Sequence, residues 1–214
     1  MVQVLQAEKI NLATLKANFD LVRAQDPDFF NEWQGPLPDL TETEQQILAG
    51  IKADYLHLAE DYPVVEAVVK LVVVSPLLKL AGFYQPPFYI AAEQMVEVTS
   101  EEQDLVIRGR LDLLTFTPDF WVMLIETKSA KYSLEVGIPQ ALTYMFDYLL
   151  DRPAPDRPAF GLVTNGSEFR FLKLMKQKRW TYGRSNLFAL DSRDDLAIVA
   201  QILKHLAQVV REFS

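Results

Sequence analysis

The stretch "GRLDLLTFTPDFWVMLIETKSA", Gly109 to Ala130, decides the fold. Apolar residues fill it on both sides of a Thr-Pro-Asp turn, so it predicts two antiparallel strands of a buried hairpin. Yet it also carries Asp112, Glu126 and Lys128. With the turn centred near Asp119, Asp112 and Glu126 face each other across the ladder. Directly opposed Cβ atoms sit roughly 4.5–5.5 Å apart, and like charges there are destabilising. Lys128, two residues beyond Glu126, shares that face. At an effective dielectric near 20, unit charges about 4 Å apart repel by roughly 4 kcal/mol, of which one lysine offsets only part. A divalent cation removes the conflict, because Mg²⁺ takes carboxylate oxygens, a carbonyl and several waters. The sequence therefore predicts Mg²⁺ or Mn²⁺ binding that Asp112→Asn abolishes, and a metal-free protein that the same change stabilises. The alternative is an edge hairpin with a solvated charged end, in which Lys128 is an ordinary cross-strand ion-pair partner.

Working outward, "FYIAAEQMVEV" from Phe88 reads as a further strand, and Pro139 starts a helix, "PQALTYMFDYLL". "AFGLVTNGSEFRFLKLM" reads as two strands around Asn165-Gly166, a dipeptide suited to a type I′ turn. The last segment puts Leu196, Val199, Ile202, Leu203, Leu206, Val209 and Phe213 on one helical face. Upstream, "PVVEAVVKLVVVSPLLKLAGF" predicts a helix broken near Pro76. Before it, "INLATLKANFDLVRA" has helical spacing and "DPDFFNEWQGPLPD" is a connector. "TETE" at Thr41 to Glu44 forms a capping box ahead of the stripe Ile47, Leu48, Ile51, Tyr55 and Leu58. The expected division is a helical arm over residues 1–60 and a domain over residues 61–214.

Composition narrows the chemistry. With 214 residues, half of them apolar, the chain can bury one sizeable core with an appendage. Its start reaches Glu8 and Lys9 without an apolar run, and no apolar stretch has membrane-spanning length, so a soluble cytoplasmic protein with no membrane partner is expected. The absence of cysteine excludes disulfides, thiolate zinc sites and cysteine nucleophiles. His57 and His205 alone cannot supply H-E-x-x-H or paired H-x-K motifs, and neither phosphate-cradling glycine motif occurs. Any catalysis must rest on carboxylates, lysines and a borrowed metal ion.

The net charge of −8 argues mildly against a polyanionic partner, but the charge is unevenly spread. Between Phe169 and Leu190 no acid precedes Asp191, while Arg170, Lys173, Lys176, Lys178, Arg179 and Arg184 are interleaved with Trp180 and Tyr182. On this run alone a solvated basic face is the favoured reading. Joined to the acidic pair and its lysine, the run offers Arg170, Lys173, Lys176, Lys178, Arg179 and Trp180 as nucleic-acid contacts, with Trp180 stacking on a base.

Asp112, followed on the next strand by Glu126-Thr127-Lys128, resembles the D…(D/E)-x-K signature of the PD-(D/E)xK, or restriction-endonuclease-like, nuclease superfamily. Gln140 and Tyr144 resemble the Q-x-x-x-Y motif of RecB-type nucleases and of the nuclease domain of type I restriction R subunits. "AFGLVTNGSEFRFLKL" resembles the T-N-G hairpin of the R-subunit group. The similarity covers about Asp61 to Met175. Leu111 stands where the signature has proline. A literal Pro118-Asp119 is no substitute, because strand residues rise about 3.3 Å each and Asp119 would lie roughly 20 Å from Glu126.

The resemblance implies an α/β fold with a central mixed β-sheet flanked by helices, here preceded by the helical arm. It implies a Mg²⁺- or Mn²⁺-dependent endonuclease or exonuclease that hydrolyses phosphodiester bonds of DNA. Asp112, Glu126 and the carbonyl of Thr127 would hold the metal, and Lys128 would position or deprotonate the attacking water. Gln140 would anchor the site or contact the nucleic-acid backbone, or simply pack its helix. Tyr144 would support it, or simply pack its helix, and Glu66 would add a carboxylate, or simply pair with Lys70. R subunits carry a motor domain; this chain would act alone or with a separately encoded motor or specificity subunit, and a homodimer is a further assembly. The other function class is a catalytically silent nucleic-acid-binding or assembly subunit that keeps the fold. The intact Asp112, Glu126 and Lys128 favour the enzyme.

Overall fold

The structure is a computed structural model and describes residues 3–100, 105–117, 120–150 and 157–212. Asp119 and Pro118 lie outside the described residues, as does Phe213. Among the described residues, nine strands form one mixed sheet around which the helices pack.

The sheet is built on an antiparallel meander of β3 (Tyr89–Ser100), β4 (Leu105–Thr117) and β5 (Phe120–Thr127). It continues through β6 (Ala159–Thr164), parallel to β5, and then through β7 (Glu168–Lys176) and β8 (Trp180–Arg184), antiparallel in turn. The short β9 (Phe188–Ala189) pairs with β7. Between β5 and β6 runs helix α5 (Gly137–Leu150), the crossover that a parallel pair requires.

The helical reading of residues 1–60 is corrected in two places. α1 (Leu12–Phe19) and α2 (Glu42–Ala59) form as expected, and the capping box is complete, with Thr41 and Glu44 each accepting from the other's backbone N–H. However, β1 (Gln3–Gln6) pairs in parallel with Leu105–Arg108 of β4, and β2 (Leu21–Arg23) pairs in parallel with β8. Strands this short have too few residues to show alternation, and their pairing is set by the sheet edges they meet. The α2 stripe buries Leu48, Ile51 and Tyr55, while Ile47 and Leu58 stay exposed.

The segment around Pro76 widens rather than breaks. α3 (Glu66–Val69) runs into a π-helical turn (Lys70–Val74) and on into α4 (Ser75–Leu80). The N–H of Ser75 reaches the carbonyl of Lys70, a π-type bond that lets the helix pass a residue with no N–H to give. The 164–168 connection also differs from expectation. Gly166 has φ +88°, but Asn165 is not at positive φ as a type I′ turn requires. Instead, Asn165 Oδ1 accepts from the N–H groups of Ser167 and Glu168 at 3.1 and 2.8 Å, an Asx-type closure of a longer loop. A Cβ on Gly166 would lie 2.5 Å from the Tyr55 ring, so α2 packs down on this loop. α6 (Asp195–Glu212) buries Leu196, Val199, Ile202, Leu203 and Leu206 as expected, with Val210 in place of Val209.

Two features of the sheet position the site. β3 pairs with β4 along nearly its whole length, so β1 and β5 share the opposite edge of β4: β1 along Leu105–Arg108, β5 along Leu113–Thr117. Residues 109–112 fall between the two ladders. α5 packs on the β5–β6–β7 part of the face that includes Val163, and its Phe146 stands edge-on to the Trp180 ring of β8. The reverse face at Gly183 is covered by Phe29 and Phe30. Among the described residues, no helix is long and apolar enough to cross a membrane.

Candidate active site

The β4–β5 ladder ends at Leu113 opposite Ile125. One step further the same register would oppose Asp112 to Glu126, but Asp112 breaks the pattern by turning its carboxylate onto the end of β5. Oδ2 accepts from both the N–H and the hydroxyl of Thr127, each at 2.7 Å. Oδ1 accepts from Nζ of Lys70 at 2.6 Å, and Lys70 also pairs with Glu66 at 3.4 Å. Lys70 comes from the π-helical turn, which is tied to this end of the sheet by the bond from Ala130 N–H to the Val64 carbonyl. Burial works against the ionised form of Asp112, yet Lys70 and Thr127 outweigh it and hold its carboxyl below the usual aspartate range.

On β3, Glu93 lies where the ladder would place a partner for Asp112. It adopts φ +55° and drops out of the pairing, which resumes at Gln94 and Leu111. Its carboxylate pairs instead with Arg110 at 3.4 Å. Positive φ is uncommon for glutamate, and here it coincides with keeping a third acid out of the Asp112 row.

Glu126 is in the opposite condition from Asp112. It is 1% exposed. Oε1 accepts from Lys128 Nζ at 2.5 Å, while Oε2 is buried with no hydrogen-bond partner among the described residues. Burial first and the Asp112 charge second push its carboxyl up to about 8, against the pull of Lys128. A buried carboxylate oxygen without a partner is rare, because leaving such a group unpaired costs about 1–3 kcal/mol or more.

Behind Glu126 a chain of hydrogen bonds fixes the lysine. Lys128 donates to Gln140 Oε1 at 2.8 Å, Gln140 Nε2 donates to the Tyr144 hydroxyl at 2.9 Å, and that hydroxyl donates to the Arg110 carbonyl at 3.2 Å. Gln140 and Tyr144 thus face the site from one side of α5, as the i,i+4 spacing predicts, and both are buried. Burial raises the Tyr144 hydroxyl well above the ordinary range. Gly109, in the gap between the β1 and β5 ladders, makes room for this tyrosine: a Cβ there would lie 2.5 Å from its hydroxyl oxygen and 2.6 Å from Ala7. At the other end, a Cβ on Gly137 would lie 2.8 Å from Val163, which lets the start of α5 settle onto β5 and β6.

The residues Asp112, Glu126, Thr127, Lys128, Gln140, Tyr144 and Glu66 therefore converge. Among the described residues no three His, Asp or Glu side chains stand together as a ready metal cluster. A divalent cation nonetheless fits the arrangement, because the unpartnered Oε2 of Glu126 lies next to a second carboxylate. Two carboxylates, a main-chain carbonyl and waters form a normal Mg²⁺ shell.

The basic run does not converge. Arg170 lies two strands from Glu126 in the same row, through Val163. Lys173 alternates to the reverse face, where it is buried against Glu32 at 2.5 Å. Lys176 stands 4.8 Å over the ring of Trp180, Arg179 pairs with Asp20, and Lys178 is exposed on the intervening turn. That turn lies six strand residues from Arg170, roughly 20 Å away. Trp180 is 7% exposed beneath Phe146 and has no free face for a base. Residues adjacent in sequence are here spread along a strand and over both faces of it. The sequence pairs Lys70 with Glu66 but not with Asp112, and gives no sign of Arg110, whose carbonyl ends the hydrogen-bond chain; both links to the site are made across the fold.

No family model matches the chain, and no curated protein does. Among solved structures, the chain is similar to a fragment of an HsdR subunit of a type I restriction enzyme from Vibrio vulnificus YJ016, at 23% identity and a TM-score of 0.41. The match covers 69% of this chain and 26% of that one, so the chain spans about a quarter of the length of the protein it matches.

Proposed function

We propose that the chain is a metal-dependent nuclease of restriction-endonuclease-like fold, hydrolysing phosphodiester bonds of DNA. The observation that carries this reading is Glu126: a carboxylate buried beside Asp112, with one oxygen on Lys128 and the other without a partner. A stable protein has little use for such a group unless a cation completes it.

Asp112 and Glu126, with the carbonyl of Thr127, would hold Mg²⁺ or Mn²⁺. Bound there, the ion supplies Lewis-acid activation of a phosphate and of water. Lys128 would position or deprotonate the attacking water and offset negative charge as it builds on the phosphate. Gln140 holds Lys128 in line, and Tyr144 holds Gln140 through the Arg110 carbonyl. Glu66 stands beside Asp112 as well as Lys70, so it would add a third carboxylate at the edge of the site or steady that lysine. Mg²⁺-dependent cleavage of single- and double-stranded DNA tests the proposal: wild type should cut and Lys128→Ala should not.

A second reading is favoured by Lys70, which already occupies Asp112 Oδ1 at 2.6 Å. In a catalytically silent subunit that keeps the fold, Lys70 would be the permanent counter-ion and no metal would bind. The partner protein in either case, a separately encoded motor or specificity subunit, belongs to the same proposal.

A further inference from the structure

Three arginines lie on the sheet face that also carries Glu126. β5, β6, β7, β8 and β2 pair without a register break, so side chains in one row point to one side. Glu126 opposes Val163 and Val163 opposes Arg170; Leu172, two residues on, opposes Arg184; Tyr182, two residues further, opposes Arg23. Arg170, Arg184 and Arg23 thus form a diagonal over three adjacent strands, stepping by about 7–8 Å from one to the next. The diagonal begins in the row of Glu126, two strands or about 10 Å away.

These guanidiniums are poorly served by the protein itself. The Nε atoms of Arg170 and Arg184 are buried without hydrogen-bond partners among the described residues. Two carboxylates stand by the three arginines: Glu135, which holds Arg184 at 2.9 Å and is 56% exposed, and Glu168, two residues from Arg170 on β7. Arg170 makes no ion pair with any described residue. Burial first and the Arg184 charge second hold Arg170 below the ordinary arginine range. Three mutually repelling forks beside two acids, only one of which makes an ion pair with them, leave room for an anion, and the fork geometry of arginine matches phosphate oxygens.

We infer that Arg170, Arg184 and Arg23 form a phosphate track, along which the backbone of a nucleic-acid strand runs from the Glu126 site across β7, β8 and β2. Its position beside the cut bond rests on the nuclease reading; its ability to hold phosphates does not. The track replaces the turn at Lys176 to Arg179 as the contact surface.

The test is the salt dependence of binding to a fluorescent DNA oligonucleotide, single-stranded and as duplex, by anisotropy with chelator present so that no metal is bound. Arg170→Gln, Arg184→Gln and the exposed Arg23→Gln should each lower the slope of log affinity against log salt by about 0.7 on single strands or 0.9 on duplex, and the double change at Arg170 and Arg184 by about twice that. Lys178→Gln should leave the slope in place. Arg23→Gln and an Arg170→Lys variant, which keeps the charge and the slope, remain readable if the double variant folds poorly. An unchanged slope in Arg23→Gln and Arg170→Gln, or an equal loss in Lys178→Gln, overturns the track, as does the absence of binding to either DNA form. A protein that shows the slope changes but cuts nothing with Mg²⁺ keeps the track and loses the nuclease reading; one that cuts with unchanged slopes does the reverse.

Discussion

Lys70 donates to Oδ1 of Asp112 at 2.6 Å from a π-helical turn that precedes it by about forty residues, so Asp112, like Glu126 with Lys128, already carries a cation of the protein's own. A divalent ion arriving at Asp112 meets a lysine that must yield or share. Lys70→Met should therefore destabilise the metal-free protein by about 2 kcal/mol, the order for a lost hydrogen bond between charged groups. Excess Mg²⁺ should restore most of that loss. Melting temperatures of both proteins, with chelator and with Mg²⁺, check it; a deficit that Mg²⁺ leaves untouched would favour the silent reading.

The two acids should respond oppositely to neutralisation. Asp112 is served by Lys70 and Thr127, so Asp112→Asn should lower stability, contrary to the gain that the sequence suggests. Glu126 is the strained partner, and Glu126→Gln should raise the stability of the metal-free protein at neutral pH. Urea denaturation of the two variants decides between these signs.

Their pH windows differ as well. Glu126 is raised from 4.5 to about 8 in the folded state, so between those values the folded protein binds more protons than the unfolded chain. Stability falls as pH rises through that window and levels off above it, with a slope of at most roughly 1.4 kcal/mol per pH unit from this group. Asp112 is lowered from 3.8, so its contribution is present above that value and is lost as pH falls through its folded pKa. Glu126→Gln should flatten the fall between pH 5 and 8 and leave the acid limb in place, as stability curves across this range would show.

Gly109→Ala should be destabilising by about 1–3 kcal/mol, the usual cost of overpacking, because its Cβ would meet Tyr144 and Ala7 at 2.5 and 2.6 Å. Combining it with Tyr144→Ala should relieve part of that cost, leaving the two losses less than additive. A double-mutant cycle by urea denaturation measures the coupling; strict additivity would place the tyrosine elsewhere.

Much of the site was legible because strand and helix periods are local. The register of the opening hairpin brought Asp112 beside Glu126, and the four-residue spacing put Gln140 and Tyr144 on one face of α5. What the sequence hid is non-local. Lys70 reaches Asp112 only through the packing of α3 on the end of the sheet, and β1 and β2 are too short to show alternation. The basic run misled because charge clustered along a strand is divided by the sheet: Lys173 goes to one face, Arg170 to the other, and Trp180 under α5. Arg23, far away in sequence, joins Arg170 and Arg184 only through the parallel pairing of β2 with β8.

Calorimetric titration of the metal-free protein with Mn²⁺ near pH 7, in two buffers of different ionisation enthalpy, tests the central claim most directly. The expected result is one site in wild type, bound with release of about one proton as Glu126 ionises, and no binding by Asp112→Asn or Glu126→Gln. Equal binding by wild type and Asp112→Asn would contradict a metal site between these two acids.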